Sequence, residues 1–89
     1  MSKVYKVTGH NMVFDYRVDE WLFSSKSKAE KSAKNLIDYL IRNNDLNENA
    51  ITKDDKKGLF NNPKTIWYLD NKYSVTLSEH TVYKTEVKI

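Results

Sequence analysis

Asp45, Asn47 and Asn49 hold the first, third and fifth places of an EF-hand-type calcium loop, where side-chain oxygens would ring a hard cation. The rest of that pattern fails. Ala50 stands where the sharp turn needs glycine, Lys53 takes the ninth place, and Lys56 replaces the bidentate glutamate. These residues therefore predict a polar loop behind a helix. His10 and His80 stand seventy residues apart in two predicted turns, and no HxxxH or HExxH spacing sets two imidazoles on one helical face. A shared metal would require them to meet beside a carboxylate such as Glu79, so no metal site is expected. Gly9 and Gly58 belong to neither a GxGxxG nor a GxxxxGK[ST] pattern, which removes the backbone cradle that a nucleotide phosphate needs. No GxSxG elbow supports a serine nucleophile. The carboxylate pairs Asp19-Glu20 and Asp54-Asp55 consist of adjacent residues, which point to opposite sides of a strand, and the second pair is flanked by lysines. Cysteine is absent. The expectation is a protein that is not an enzyme, with no catalytic residues and no cofactor.

Charge and aromatic side chains remain as candidate chemistry. Lys26, Lys28, Lys31 and Lys34 crowd one 9-residue stretch, and Lys53, Lys56 and Lys57 follow in the next polar segment. Together they could meet a phosphate backbone. The alternative is a solvated helix face, favoured by Glu30, Asp38 and Arg42, because Glu30-Lys34, Lys34-Asp38 and Asp38-Arg42 are all i,i+4 pairs of opposite sign. Lysines in the first turns of a helix oppose its dipole, a local inconsistency that hints at a partner. With thirteen Lys and two Arg, nonspecific contact is expected over base readout, for which Arg supplies the bidentate forks. Trp67 and Tyr68 are neighbours in a predicted strand and must face opposite ways, so one lies on the face away from the helix. That face offers a binding surface or a dimer interface. Trp21 and Phe23 are expected in the core. The candidate partner-binding set is thus Lys26, Lys28, Lys31, Lys34, Lys53, Lys56, Lys57, Trp67 and Tyr68.

The elements that must position these residues follow from periodicity. Residues 3–8 (KVYKVT) predict a strand, closed by turn chemistry at Gly9-His10-Asn11. From Met12, the residues Met12, Phe14, Tyr16 and Val18 alternate with a mostly charged set, predicting a half-buried strand. Asp19-Glu20 can turn the chain, after which Trp21-Leu22-Phe23 is either a third short strand or a continuation of the second. Ala29, Ala33, Leu36, Ile37, Leu40 and Ile41 recur at helical spacing and predict one amphipathic helix. It is capped at Ser25 or Ser27, the latter with Glu30 at capping-box spacing, and ends at Asn43-Asn44. Residues 45–63 read as a loop with room for a helical turn, and a connection this long is uncommon in a compact domain, which makes it a candidate for function or mobility. Residues 65–69 and 72–77 form a hairpin around Asp70-Asn71, and Ser78-Glu79 can turn again into a strand at 81–87. The fold class expected is α+β: one amphipathic helix packed on a mostly antiparallel sheet, in the order β-β(-β)-α-loop-β-β-β, as a single domain over residues 1–89.

Eighty-nine residues at net charge +3, 39% hydrophobic, fit one ordered globular unit and exclude a cofactor domain coupled to a substrate domain. No apolar run approaches the roughly 20 residues of a membrane span, and the first residues lack the apolar stretch of a signal peptide, so a cytoplasmic protein without membrane contact is expected. Residues 1–44 carry eight bases and five acids, whereas residues 45–89 carry seven of each, which places the excess charge at the start of the helix. Thirteen Lys to two Arg, nine Asn and six Tyr are what AT-rich codons supply, pointing to a low-GC bacterium or its phage. The run Lys3-Val4-Tyr5-Lys6-Val7-Thr8, then Leu22-Phe23-Ser24-Ser25 and Lys28-Ala29-Glu30-Lys31, resembles small uncharacterised phage and prophage proteins over roughly the first forty residues. The resemblance implies a mobile-element origin and transfers no site residue. The function expected is a small binding protein that inhibits or modulates a host or defence-system macromolecule through a protein contact. A nucleic-acid-binding regulator using the basic helix start, and a structural protein that homo-oligomerises, are the alternatives.

Overall fold

The helical spacing of Ala29, Ala33, Leu36 and Leu40 decides the architecture, because these four buried side chains fix where the helix lies. The computed structural model describes residues 2–58 and 61–82. Its elements are β1 (Ser2–Asn11), β2 (Tyr16–Phe23), α1 (Lys26–Asn44), a short 3-10 turn at Glu48–Ala50, β3 (Ile51–Lys57), β4 (Pro63–Leu69) and β5 (Tyr73–Val82). One five-stranded sheet results, ordered β2-β1-β5-β4-β3, with every neighbouring pair antiparallel. The expected α+β class, with one amphipathic helix on an antiparallel sheet, is what the chain forms. Among the described residues, no helix is long and apolar enough to cross a membrane.

α1 starts at Ser25, whose hydroxyl accepts from the Lys28 amide, and not at Ser27. It ends where Asp45 turns left-handed, at φ 51°, and where Asn43 and Asn44 donate to the Tyr39 and Leu40 carbonyls at 2.8 and 3.0 Å. These side chains satisfy carbonyls that the last turn leaves without helical partners. The buried stripe packs on Val7, Leu69 and Val75, with Tyr5, Phe23, Trp67, Tyr73 and Leu77 closing around it. Burying Leu40, 2% exposed, stabilises the fold by about 1.5–3 kcal/mol relative to an exposed side chain. Gly9 lets the helix approach: a Cβ there would lie 3.0 Å from Leu36 Cδ2.

Several boundaries differ from the sequence reading. β1 runs through Gly9-His10-Asn11, because all three pair with Val75, Ser74 and Tyr73 of the central strand. The turn falls instead at residues 12–15, where Asn11 Oδ1 accepts from the amides of Val13 and Phe14, each at 3.0 Å. An Asx-type turn thereby overrides the alternation of Met12, Phe14, Tyr16 and Val18. Asp19-Glu20 stay in β2, and Trp21-Leu22-Phe23 continue that strand. Residues 45–63 are not one loop. Leu46 is buried, the Asn47 amide donates to Asp70 Oδ2 at 3.2 Å, and β3 pairs with β4 from Ile51↔Leu69 to Lys57↔Pro63. Strong pairing carries a weak strand former, as charged residues allow at a sheet edge. The turn at Asp70-Asn71 is present, both residues having positive φ (52° and 53°). Ser78-Glu79 remain within β5 and do not turn; the predicted strand at 81–87 lies outside the described residues beyond Val82.

Candidate functional site

Both edge strands are mostly exposed, but β3 shows water charged side chains where β2 shows aromatic and aliphatic ones as well. Along β2 almost every residue is exposed, and α1 leans on β1 and β5 far more than on β2. A cleft of about 580 Å³ therefore opens between strand and helix, with Trp21 and Val18 on one wall and Leu36 and Tyr39 on the other. The pairing Gly9↔Asp19 followed by His10↔Arg17 leaves Val18 as an extra residue, a bulge beside this cleft.

The 12–15 turn extends the same surface. Met12, Val13, Phe14, Tyr16, Val18, Trp21 and Leu22 are seven of the eight exposed large hydrophobic side chains among the described residues; the eighth, Tyr39, faces Val18 and Trp21 across the cleft, whereas Leu22, paired with Lys6, lies on the other face of the sheet. Phe14 is 76% and Leu22 67% exposed. A polar network holds this end in place: the Tyr73 hydroxyl donates to Asn44 Oδ1 (3.0 Å), and the Asn11 amide reaches the hydroxyls of Tyr73 and Tyr16, each at 3.3 Å. Helix end, central strand and edge hairpin are thus tied together. On the sheet's other face, Glu20 takes Arg17 at 2.6 Å and Lys6 at 3.3 Å, leaving the cleft side free of that ion network.

The residues singled out in the sequence fall on separate surfaces. Lys26, Lys28, Lys31 and Lys34 are all exposed on α1, but Lys26 borders a hollow with Tyr5 and Leu77, whereas Lys31 and Lys34 lie with Ser27 and Glu30 on the outer side. None of the expected i,i+4 pairs closes to ion-pair distance among the described residues. Lys53, Lys56 and Lys57 sit on the edge strand β3 and not in a loop. Lys53 lies 6.0 Å from the Trp67 ring centre, and Lys56 pairs with Asp54 at 3.4 Å. Trp67 packs against the core while Tyr68, its neighbour, takes the opposite face of the sheet. Trp21 is 38% exposed, not core; Phe23 is half-buried against it as expected. His10 and His80 share a face of β1 and β5, but His10 stands opposite Ser74, six residues from His80, about 20 Å along the strand.

The sequence reading missed the apolar hairpin. Its signal was present in Asn11-Met12-Val13-Phe14-Asp15, where an Asx residue precedes three consecutive apolar side chains that no strand can bury together. No family model matches the chain, and neither a curated protein nor a solved structure does.

Proposed function

We propose that this chain is a small non-enzymatic binding protein, encoded by a phage or other mobile element, that inhibits or modulates a host or defence-system protein in the cytoplasm. The observation that supports this reading is the concentration of exposed apolar side chains on the β1–β2 hairpin and β2. Exposed apolar residues scattered singly need no explanation, but Met12, Val13 and Phe14 in the turn with Tyr16, Val18 and Trp21 beside the cleft mark a contact surface. The occupant is an extended segment of the partner protein. β2 offers an unpaired main-chain edge, and the cleft beside it takes the segment's apolar side chains against Val18, Trp21, Leu36 and Tyr39, with Asp19, Ser32 and Asn35 as its polar lining. Trp21, Phe14 and Tyr39 are the aromatic anchors such contacts favour. A standard interface needs about 800 Å² per partner, within reach of this end of the molecule.

The test compares wild type with the double variant Phe14→Asp, Trp21→Asp in cross-linking from a low-GC Gram-positive host lysate, followed by calorimetry with the purified candidate. The expected result is one protein retained by the wild type, lost with the variant, and bound in isolation. Recovery of chaperones only, or capture indifferent to the variant, overturns the reading. A closed oligomer that the variant dissociates would instead assign this surface to self-association. DNA or RNA bound with steep salt dependence would assign the function to the lysines.

A further inference from the structure

On the sheet face turned away from α1, the pairing registers align Lys6 on β1, Ser78 on β5, Lys64 on β4 and Lys56 on β3 in one cross-strand row. Three cations and a hydroxyl thus share a line, and Lys64 stands directly opposite Lys56. Like charges in that relation destabilise a strand pair, so the arrangement needs a reason. Lys56 has Asp54 at 3.4 Å and Lys6 has Glu20 at 3.3 Å, but among the described residues no ion pair reaches Lys64. Lys6, Ser78 and Lys64 of this row line a hollow of about 350 Å³, bordered by Thr76, His80, Asn62 and Glu79, whose carboxylate is taken by Lys3 at 3.2 Å. At its centre Ser78 is 8% exposed, with its Oγ 2.8 Å from His80 Nε2.

Adjacent strands lie about 4.8 Å apart, which sets Lys6 and Lys64 about 10 Å apart on either side of Ser78. Their flexible four-carbon stems allow both ammonium groups to converge on one anion over the serine. In the His80 tautomer that carries its proton on Nε2, that nitrogen donates to Ser78 Oγ, and the serine proton is free to donate to the same anion. We propose that this hollow binds a phosphate group, held by Lys6, Lys64 and the Ser78 hydroxyl and positioned by His80. The excess charge of Lys64 is then neutralised by ligand instead of by a side chain. The site lies on the face opposite the apolar cleft and stands independently of the proposed protein contact.

Titration of the full chain with inorganic phosphate, followed by amide chemical shifts, tests this, with sodium chloride at matched ionic strength as the control. Saturable shifts are expected at Lys6, Lys64, Ser78 and His80. Lys64→Gln should weaken binding about tenfold, the loss of one charge-assisted hydrogen bond, while Lys64→Arg retains it and Lys31→Gln leaves it unchanged. A parallel arm with adenosine monophosphate distinguishes sources: tighter binding than phosphate indicates a nucleotide, equal binding a bare phosphate group. Shifts that do not saturate, that chloride reproduces, or that survive Lys64→Gln would overturn the proposal. Circular dichroism of the variants confirms that substitution at this half-buried strand position does not unfold the protein.

Discussion

β2 and β3 are the outer strands of one sheet, each with one side unpaired, yet they meet water differently. β3 reads ITKDDKK, and its charges include Lys53 near Trp67, Asp54 with Lys56, and Asp55 accepting from the Thr65 hydroxyl at 2.7 Å. Such an edge discourages a further strand, because any incoming chain must desolvate those groups. β2 carries charge too, at Arg17, Asp19 and Glu20, but joins an apolar turn and an aromatic cleft. The contrast teaches that edge protection is selective in this fold. One margin is lined by charge, and the other presents the apolar surface on which the proposed contact rests.

The largest expected effect comes from removing the wall that shapes the β2 margin. Leu36 is 5% exposed, touches the space above Gly9 and lines the cleft. Leu36→Ala should cost about 2–5 kcal/mol in urea denaturation, through lost transfer energy and the cavity left behind. A loss below about 1 kcal/mol would mean that the helix does not bear on this edge as described.

Asn11 comes next. It is 4% exposed, accepts from two turn amides and donates toward two tyrosines. Asn11→Ala should cost about 1–3 kcal/mol, since it removes the shared acceptor of two turn amides and the amide that reaches the Tyr16 and Tyr73 hydroxyls. Hydrogen exchange should quicken at Val13 and Phe14 while the β3–β4 amides stay protected; uniform quickening would show that the two margins are not independent.

The difference between the margins also marks what was legible in the sequence. The helix was legible because Ala29 through Ile41 repeat at its period, and the α+β class followed from one such segment among alternating ones. β3 was not, because Lys53-Asp54-Asp55-Lys56-Lys57 has no strand propensity of its own; its pairing with Lys64-to-Leu69 partners supplies the strand. The apolar hairpin was misread for the opposite reason: its alternation is genuine, but the Asn11 side chain captures the Val13 and Phe14 amides and bends the chain before a strand can form. The lysines of the candidate site were visible as residue types, but which of them share a surface depends on strand register, a long-range property. Lys6 and Lys64 meet across Ser78 only because β1 and β4 both flank β5.

The smallest stability effect, and the sharpest probe of the comparison, lies at β3. Replacing Lys53 and Lys57 with valine removes two exposed charges and one cation–π contact worth about 0.5–1 kcal/mol, while valine's preference for extended backbone returns a comparable amount. The denaturation midpoint should hardly move. Association should change all the same, because the edge would then read ITVDDKV and lose the charges that make strand addition costly. Sedimentation velocity is expected to show concentration-dependent self-association in Lys53→Val, Lys57→Val beyond that of the wild type. A matched variant at the other margin, Phe14→Asp, should leave stability within about 0.5 kcal/mol and lower any association present, since the side chain is already 76% exposed. If both variants left association unchanged, charge would not be what separates the margins, and main-chain geometry such as the Val18 bulge would have to carry the distinction instead.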